Sequence, residues 1–181
     1  MRRSEIQHGL GMTMVLISGT MLFATLLMGY AVYRTSAPTW PPAGTLPVKL
    51  VFPLLSTVSI LLSSFFMHKV RTDFEDLKKA KLNLDTTLVL GFLFMGLQTL
   101  FWSELRNSGL LVGSGIFSSI LYGFTWIHAA HVVMGLLSLL WLRFVLKVET
   151  RNLDVKVLNV EKFWHFLGII WSIMFLTLFI L

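Results

Sequence analysis

The chain has no cysteine and few charged residues. Of its 181 residues, 13% are Asp, Glu, Lys or Arg, whereas 55% are hydrophobic. The absence of cysteine excludes a disulfide framework and any metal site built on thiolates. Because soluble domains carry about 25% charged residues, this composition excludes a water-soluble catalytic domain of ordinary type.

Proline is scarce and is concentrated in one place. Four of the five prolines stand in the segment 34–49. Proline at this density favours an extended, stiff segment over a helix. The segment is predicted to be a loop, with Trp40 at the membrane interface, where amphipathic rings collect.

Five uncharged, mostly apolar runs make up most of the chain. A run of about 20 such residues crosses the hydrocarbon core of a bilayer as a helix, and backbone in lipid must satisfy its own hydrogen bonds. We therefore predict an all-α polytopic membrane protein, a five-transmembrane-helix bundle that forms a single membrane domain over residues 1–181. The first run is too long for a signal peptide and should remain as an anchor. The predicted spans are residues 10–33, 50–67, 84–102, 115–142 and 163–181.

Basic residues are distributed unequally between the two sides of this predicted bundle. The N-terminal segment and the loops after spans two and four hold twelve Lys or Arg, whereas the other two loops hold three. Such a bias marks the cytoplasmic side of a membrane protein. It predicts a cytoplasmic N-terminus and a periplasmic C-terminus, and it accounts for the net charge of +6 without a nucleic-acid partner.

The two basic loops are predicted to lie beside the lipid headgroups. Lys69–Lys81 should extend span two or three as an exposed helical turn, and residues 148–161 should form a similar but looser segment. Asp85 is predicted near a helix N-terminus, which favours an anion. Arg143 and Lys147 are candidate contacts to anionic headgroups, which attract basic residues.

Span four carries a stripe of small residues. Gly115, Ser119 and Gly123 recur every four positions and so share one helix face. Small residues on one face let a neighbouring helix approach closely. The stripe predicts a close helix contact along this part of span four.

Polar side chains at membrane depth are few: Gln98, His128, His131 and His165. Such groups are costly in lipid and face the bundle interior or a cavity. A haem site would need axial histidines from opposite sides, but His128 and His131, three residues apart, share one helix face. A carboxylate-bridged metal site would need acidic residues at mid-span. None stands there, since Glu104 lies at the outer edge.

The spacing of these residues favours a structural role over chemistry. A proton path would need buried carboxylates or a water-lined polar face, which the spans do not supply. Neutral histidines hydrogen-bonded between helices are the preferred interpretation, and a haem-carrying membrane anchor stays open as an alternative. We predict no catalytic, cofactor-binding or metal-ligating residue in this chain. The predicted structural polar core comprises Gln98, His128, His131, Trp164 and His165.

Six stretches of the sequence form an ordered set of motifs. They are LFATLLMGYAVY (22–33), TWPPAG (39–44), FPLLSTVSILLSS (52–64), GLQTLFW (96–102), HAAHVVMGLL (128–137) and EKFWHFLGIIW (161–171). The fifth is similar to a His-Gly-x-His-Val motif, with Ala129 in place of glycine, and the sixth to a Trp-His-Phe-x-Asp-x-x-Trp motif. Together the six stretches resemble the subunit III family of haem–copper oxidases, in its five-helix bacterial form, which is similar to the quinol oxidase version.

The chain departs from that family's pattern at three acidic positions. The family usually has an acid in the first helix, where this chain has Gly19. A second carboxylate is often found where Phe101 stands, and an aspartate where Gly168 stands. The first acid is associated with a lipid-lined cleft and with proton delivery, so its absence puts that role in doubt.

The resemblance implies a subunit without redox centres in the inner membrane of a bacterium. Its main partner would be oxidase subunit I, which holds the haems and copper, together with subunit II, other respiratory subunits and phospholipids. It would support the stability, lipid binding and proton uptake of the catalytic subunit. The alternative is a homologous accessory subunit of a quinol oxidase or nitric oxide reductase.

Overall fold

The part of the chain that the structure describes folds into five long helices. A computed structural model describes the backbone of residues 2–39, 49–148 and 153–180, and the side chains of residues 9–39, 49–146 and 153–180. All five helices are long and apolar enough to cross a membrane, and the described residues include no strand. The predicted all-α, five-helix membrane fold is therefore confirmed, while most of the TWPPAG stretch, with Trp40, lies outside the described residues. The helices are α1 (Arg2–Ser36), α2 (Val51–Thr72), α3 (Leu77–Asn107), α4 (Ile116–Val148) and α5 (Leu153–Phe175), and a π-helical segment, Leu176–Ile180, continues α5.

Helix α5 begins earlier than the sequence analysis predicted. Its first residue is Leu153, whereas the predicted span starts at residue 163. The predicted looser loop over 148–161 is therefore wrong from Leu153 onwards. Neither glycine nor proline interrupts this stretch, so helical hydrogen bonds continue where the chain leaves the hydrocarbon. The extension places Glu161 and His165 on consecutive turns of one helix.

A tight turn joins α2 to α3, and the rest of Lys69–Lys81 is helical, as predicted. The Asp76 carboxylate caps α3 by accepting hydrogen bonds from the backbone amides of Lys79 and Lys78, at 3.3 and 3.0 Å. These bonds hold the pKa of the Asp76 carboxyl below its usual value, and the bond from Lys79 has the largest effect. Asp85 lies well inside α3, so its predicted place at a helix N-terminus is wrong.

Serine side chains fasten α2 to α3. The Ser59 hydroxyl donates to the carbonyl oxygen of Leu90 at 2.8 Å, and the Ser63 hydroxyl donates to that of Thr87 at 2.9 Å. Both serines are buried. Small side chains let two helices approach, and their hydroxyls supply hydrogen bonds between them. The pairing of α2 with α3 thus depends on short polar residues within the LLSTVSILLSS motif.

Close helix contacts form at glycines other than those of the predicted stripe. A Cβ atom at Gly115 or Gly123 would meet nothing within 4 Å, so the close contact predicted along Gly115, Ser119 and Gly123 is wrong. The stripe instead lines an open groove between α1 and α4. Gly91 and Gly135 both face the indole ring of Trp164. A Cβ atom would lie 3.0 Å from the nearest ring carbon at Gly91 and 2.9 Å from it at Gly135.

Helix α1 lies at the edge of the bundle. In an apolar 18-residue stretch of α1, only 6% is buried, whereas in the corresponding stretch of the span that includes α5, 50% is buried. It packs mainly along α5, where the Tyr30 hydroxyl donates to the carbonyl oxygen of Thr177 at 2.9 Å. Its outward face, with Met14, Met21 and Met28, is exposed and apolar. Such a face suits lipid or the surface of another membrane subunit.

Candidate functional site

Two tryptophans on one face of α5 connect it to three other helices. Trp164 is fully buried; its indole N–H donates to the Ser63 hydroxyl of α2 at 3.0 Å, and its ring fills the space beside Gly91 of α3 and Gly135 of α4. The indole N–H of Trp171 donates to the Thr57 hydroxyl of α2 at 2.9 Å. Since indoles in a core need a partner for their N–H, these hydroxyls fix the orientation of both rings.

His128 packs into an aromatic cage next to Trp171. Its ring centroid lies 5.3 Å from that of Trp171, 5.9 Å from that of Phe94 and 6.0 Å from that of Phe23. The imidazole is fully buried, and neither ring nitrogen has a hydrogen-bond partner among the described residues. The prediction that the histidines are hydrogen-bonded between helices is therefore wrong for His128, which is held by ring contacts.

The remaining members of the predicted polar core do not form one cluster. Gln98 is buried and its amide has no hydrogen-bond partner among the described residues. His131 Nδ1–H donates to the carbonyl oxygen of Ile127 at 2.7 Å, within its own helix and not between helices as predicted, and the ring packs against Phe23. His165 lies elsewhere, beside Glu161. Four of the five predicted residues thus divide between the aromatic cage, the contacts of Trp164 and a charged cluster, whereas Gln98 belongs to none of them.

Packing fills the three positions where the resembled family carries acids. A Cβ atom at Gly19 would lie 2.9 Å from the Phe166 ring, and one at Gly168 would lie 2.9 Å from the Ser64 hydroxyl oxygen. Phe101 is buried, with its ring centroid 5.6 Å from that of Phe179. An acidic side chain at position 19 or 168 would require these neighbours to shift, whereas at position 101 the phenylalanine ring itself fills the core.

Sequence reasoning missed a cluster of ionisable groups at the end of the bundle that holds the α2–α3 turn. The Glu161 carboxylate is buried, with one oxygen 2.9 Å from His68 Nδ1 and 3.6 Å from His165 Nε2. Its other oxygen lies 3.4 Å from an Arg71 guanidinium nitrogen. Glu161 and His165, four residues apart on α5, were a visible signal in the EKFWH motif. Their partners on α2 required the tertiary fold.

An ion pair joins α3 to α4 at the basic end. Two guanidinium nitrogens of Arg143 donate to the two carboxylate oxygens of Asp85, one of them at 2.9 Å. The third guanidinium nitrogen, Nη1, is buried and has no partner among the described residues. The Arg143 side chain, a predicted headgroup contact, is therefore engaged within the protein. The side chain of Lys147 lies outside the described residues.

Two apolar grooves flank α1. One, of about 410 Å³, lies between α1, α4 and α5 and is lined by residues that include Gly19, His131 and Phe166. The other, of about 650 Å³, lies between α1 and α4 beside Gly115 and Gly123. Exposed apolar grooves along a peripheral helix are suited to apolar chains rather than to a polar substrate.

These features define a class of protein: a polytopic α-helical membrane bundle, held by tryptophans, serines and ring contacts. Its acidic side chains Asp85 and Glu161, which lie within α3 and α5, are both engaged in ion pairs. The chain belongs to the cytochrome c oxidase subunit III family, whose sequence model matches residues 2–181. The resemblance stated from the motifs is thereby confirmed.

Individual relatives carry the same name. The chain is 30% identical to cytochrome c oxidase subunit 3 of Synechocystis. The 176 aligned residues cover 94% of this chain and 74% of that protein. The chain is also 30% identical over 177 residues to the same subunit of Thermostichus vulcanus, covering 95% and 86%. The chain is 27% identical over 181 residues to the subunit of a Bacillus species, and the alignment covers 95% of this chain and 84% of that protein.

Proposed function

We propose that this chain is the non-redox subunit III of a bacterial respiratory haem–copper oxidase that reduces oxygen with electrons from cytochrome c. The observation that carries the proposal is the family match over nearly the whole chain, together with the five-helix bundle. The alternatives, an accessory subunit of a quinol oxidase or nitric oxide reductase, would use the same bundle. The relatives named above favour cytochrome c oxidase.

The exposed face of α1 supports docking in a larger membrane complex. This helix buries few of its apolar residues against its own bundle, although it is 35 residues long. The partner we propose is oxidase subunit I, which carries the haems and copper, with subunit II and other respiratory subunits nearby. The location that follows is the bacterial inner membrane.

The interior supports a structural contribution rather than chemistry. His128, Gln98 and Trp164 are enclosed by packed side chains, and the rings around His128 belong to Phe and Trp. Phe and Trp supply no ligand for a haem iron, which argues against the haem-carrying anchor. We infer that the five residues of the predicted polar core position helices, whereas Arg143 joins α3 to α4.

The grooves along α1 support phospholipid binding. Their linings are mostly apolar, and both run beside the helix that packs least against its own bundle. Bound lipid would fill the space between α1 and α4. Since Gly19 has replaced the family acid, the contribution of this subunit to proton uptake is proposed to be smaller than its protective and lipid-binding contribution.

Removing this subunit should shorten the working life of the oxidase more than it lowers its initial rate. Because the proposed subunit holds no redox centre, oxygen consumption should start near the value of the complete complex and then decline faster during turnover. The measurement is oxygen consumption over many turnovers, with and without the chain, in the same lipid. Immediate loss of activity with the haems intact would contradict the proposal.

Charge distribution supports a cytoplasmic location for the α2–α3 turn. Single cysteines at Lys78 and Thr39 should therefore react oppositely with an impermeant thiol reagent, Lys78→Cys from inside and Thr39→Cys from outside. Both side chains are exposed, and the natural chain has no cysteine to interfere. Labelling of position 78 from the outer side of intact cells would reverse the proposed orientation.

A further inference from the structure

Three potential metal ligands converge at the end of the bundle that holds the α2–α3 turn. His68 comes from α2, whereas Glu161 and His165 come from α5. His68 Nδ1 and His165 Nε2 lie 2.9 and 3.6 Å from the same carboxylate oxygen of Glu161. All three ligand atoms lie within 4.8 Å of one another. No other group of three such residues was found among the described residues.

The separations fit a small tetrahedral ion. Zinc binds nitrogen and carboxylate oxygen at about 2.0–2.2 Å, which places the ligand atoms of a tetrahedron about 3.3 Å apart. The two separations at the Glu161 oxygen lie on either side of this value. The His68 side chain is 57% exposed, so it can adjust to bring the two imidazoles closer without disturbing the core.

The chemical types of the ligands select the kind of cation. Two imidazoles with one carboxylate form a donor set that zinc uses when its fourth position is left to water. Calcium and magnesium prefer sites made of oxygen atoms, and imidazole shifts the preference to zinc and its transition-metal neighbours. We propose that His68, Glu161 and His165 form a zinc-binding site that joins α2 to α5.

Arg71 is the feature that opposes a cation here. Its guanidinium lies 3.4 Å from the second oxygen of Glu161 and is 54% exposed. The oxygen directed at the two histidines is therefore free of Arg71, and a bond from Arg71 to the other oxygen can persist as an outer-shell contact. Its positive charge should weaken zinc binding. Removing that charge should therefore strengthen binding, whereas removing a ligand should weaken it.

We expect the site to be accessible from water, because it lies beside the charged α2–α3 turn. His68 lies one turn before the end of α2, next to the charged turn, and it is exposed together with Arg71. His165 is partly exposed, and only Glu161 is buried. An entering ion would therefore meet the more exposed imidazoles first and the buried carboxylate of Glu161 last.

Zinc binding to the purified full chain tests the site. The protein, prepared in mild detergent without a polyhistidine tag, is titrated with zinc chloride against a chelating dye, with excess magnesium present. We expect one zinc ion per chain. His68→Gln and His165→Gln should each weaken binding by at least about tenfold, since even outer-shell changes cost 10–100-fold. His131→Gln is the matched control and should bind like the natural chain.

Two further variants make every outcome informative. Arg71→Gln keeps a hydrogen-bond donor and removes the charge, so binding should tighten by about 1.5- to 5-fold, as for an exposed ion pair. Glu161→Gln should abolish the high-affinity site, with circular dichroism to check the fold. Saturable binding that survives both His68→Gln and His165→Gln, competition by magnesium at equal strength, or no binding to the natural chain would overturn the site. None of these results depends on the proposed oxidase role.

Discussion

Replacing Trp164 by alanine is expected to destabilise the bundle by about 3 kcal/mol. Trp→Ala changes in cores cost about 3–5 kcal/mol through lost contacts and the cavity left behind. We expect the lower end of this range because lipid is as apolar as the protein core. Burying the Trp164 side chain against other helices therefore stabilises the fold less than removing it from water would. Trp164 is fully buried and contacts α2, α3 and α4, so one change loosens four helices.

The measurement is reversible unfolding in mixed micelles of a mild detergent and dodecyl sulfate, followed by circular dichroism. Trp141→Ala is the matched control, because Trp141 is 48% exposed and exposed sites change stability by about 0.5 kcal/mol or less. Equal destabilisation by the two variants would show that Trp164 is not the centre of the packing.

Valine at Gly135 is expected to destabilise the bundle by about 2–3 kcal/mol. A Cβ atom there would lie 2.8 Å from Leu167 and 2.9 Å from Trp164, and both neighbours are fully buried. Forcing extra carbons into a filled core costs about 1–3 kcal/mol. The upper part of that range is expected because the Trp164 ring is fixed by its hydrogen bond to Ser63.

Gly123→Val is the control, since it makes the same chemical change in the same helix. A Cβ atom at Gly123 meets nothing within 4 Å, so differences in helix propensity cancel between the two variants. The same unfolding measurement applies. If Gly123→Val proved as harmful as Gly135→Val, the cost would come from the loss of glycine itself and not from contact with Trp164.

The sequence predicted the fold well because its signal is carried by long runs. Uncharged stretches near 20 residues leave a helix as almost the only choice in lipid, and all five were found. Helix ends were predicted less well. The start of α5 at Leu153 was missed because hydropathy marks where hydrocarbon begins, whereas a helix ends only where its hydrogen bonds are interrupted.

The side-chain arrangement was predicted only in part, because contacts between helices depend on rotation about each axis. Trp164, which the sequence placed in the polar core, is fully buried, but Gly91 and Gly135, the glycines that accommodate its ring, were not predicted. The stripe at Gly115 had the right spacing but faces a groove. His68 meets Glu161 across 93 residues of sequence, a distance that no local pattern spans.

The family motifs carried more about function than any residue chemistry. Nothing in His128 or Gln98 alone distinguishes a respiratory subunit from another membrane bundle. The ordered stretches from LFATLLMGYAVY to EKFWHFLGIIW did so, and the family match over residues 2–181 agrees with them. Gly19, Phe101 and Gly168 stand at the positions where the resemblance predicts acids, and the structure shows close contacts at Gly19 and Gly168 and a buried ring at Phe101.

The most direct test of the proposed function is to identify what co-purifies with this chain from its native membrane in mild detergent. The account predicts a complex that contains a haem–copper subunit I, recognised by mass spectrometry and by the absorption of its haems, and that consumes oxygen with reduced cytochrome c. A chain that purified without any haem-carrying partner, or that itself carried the haem absorption after separation from other subunits, would contradict it.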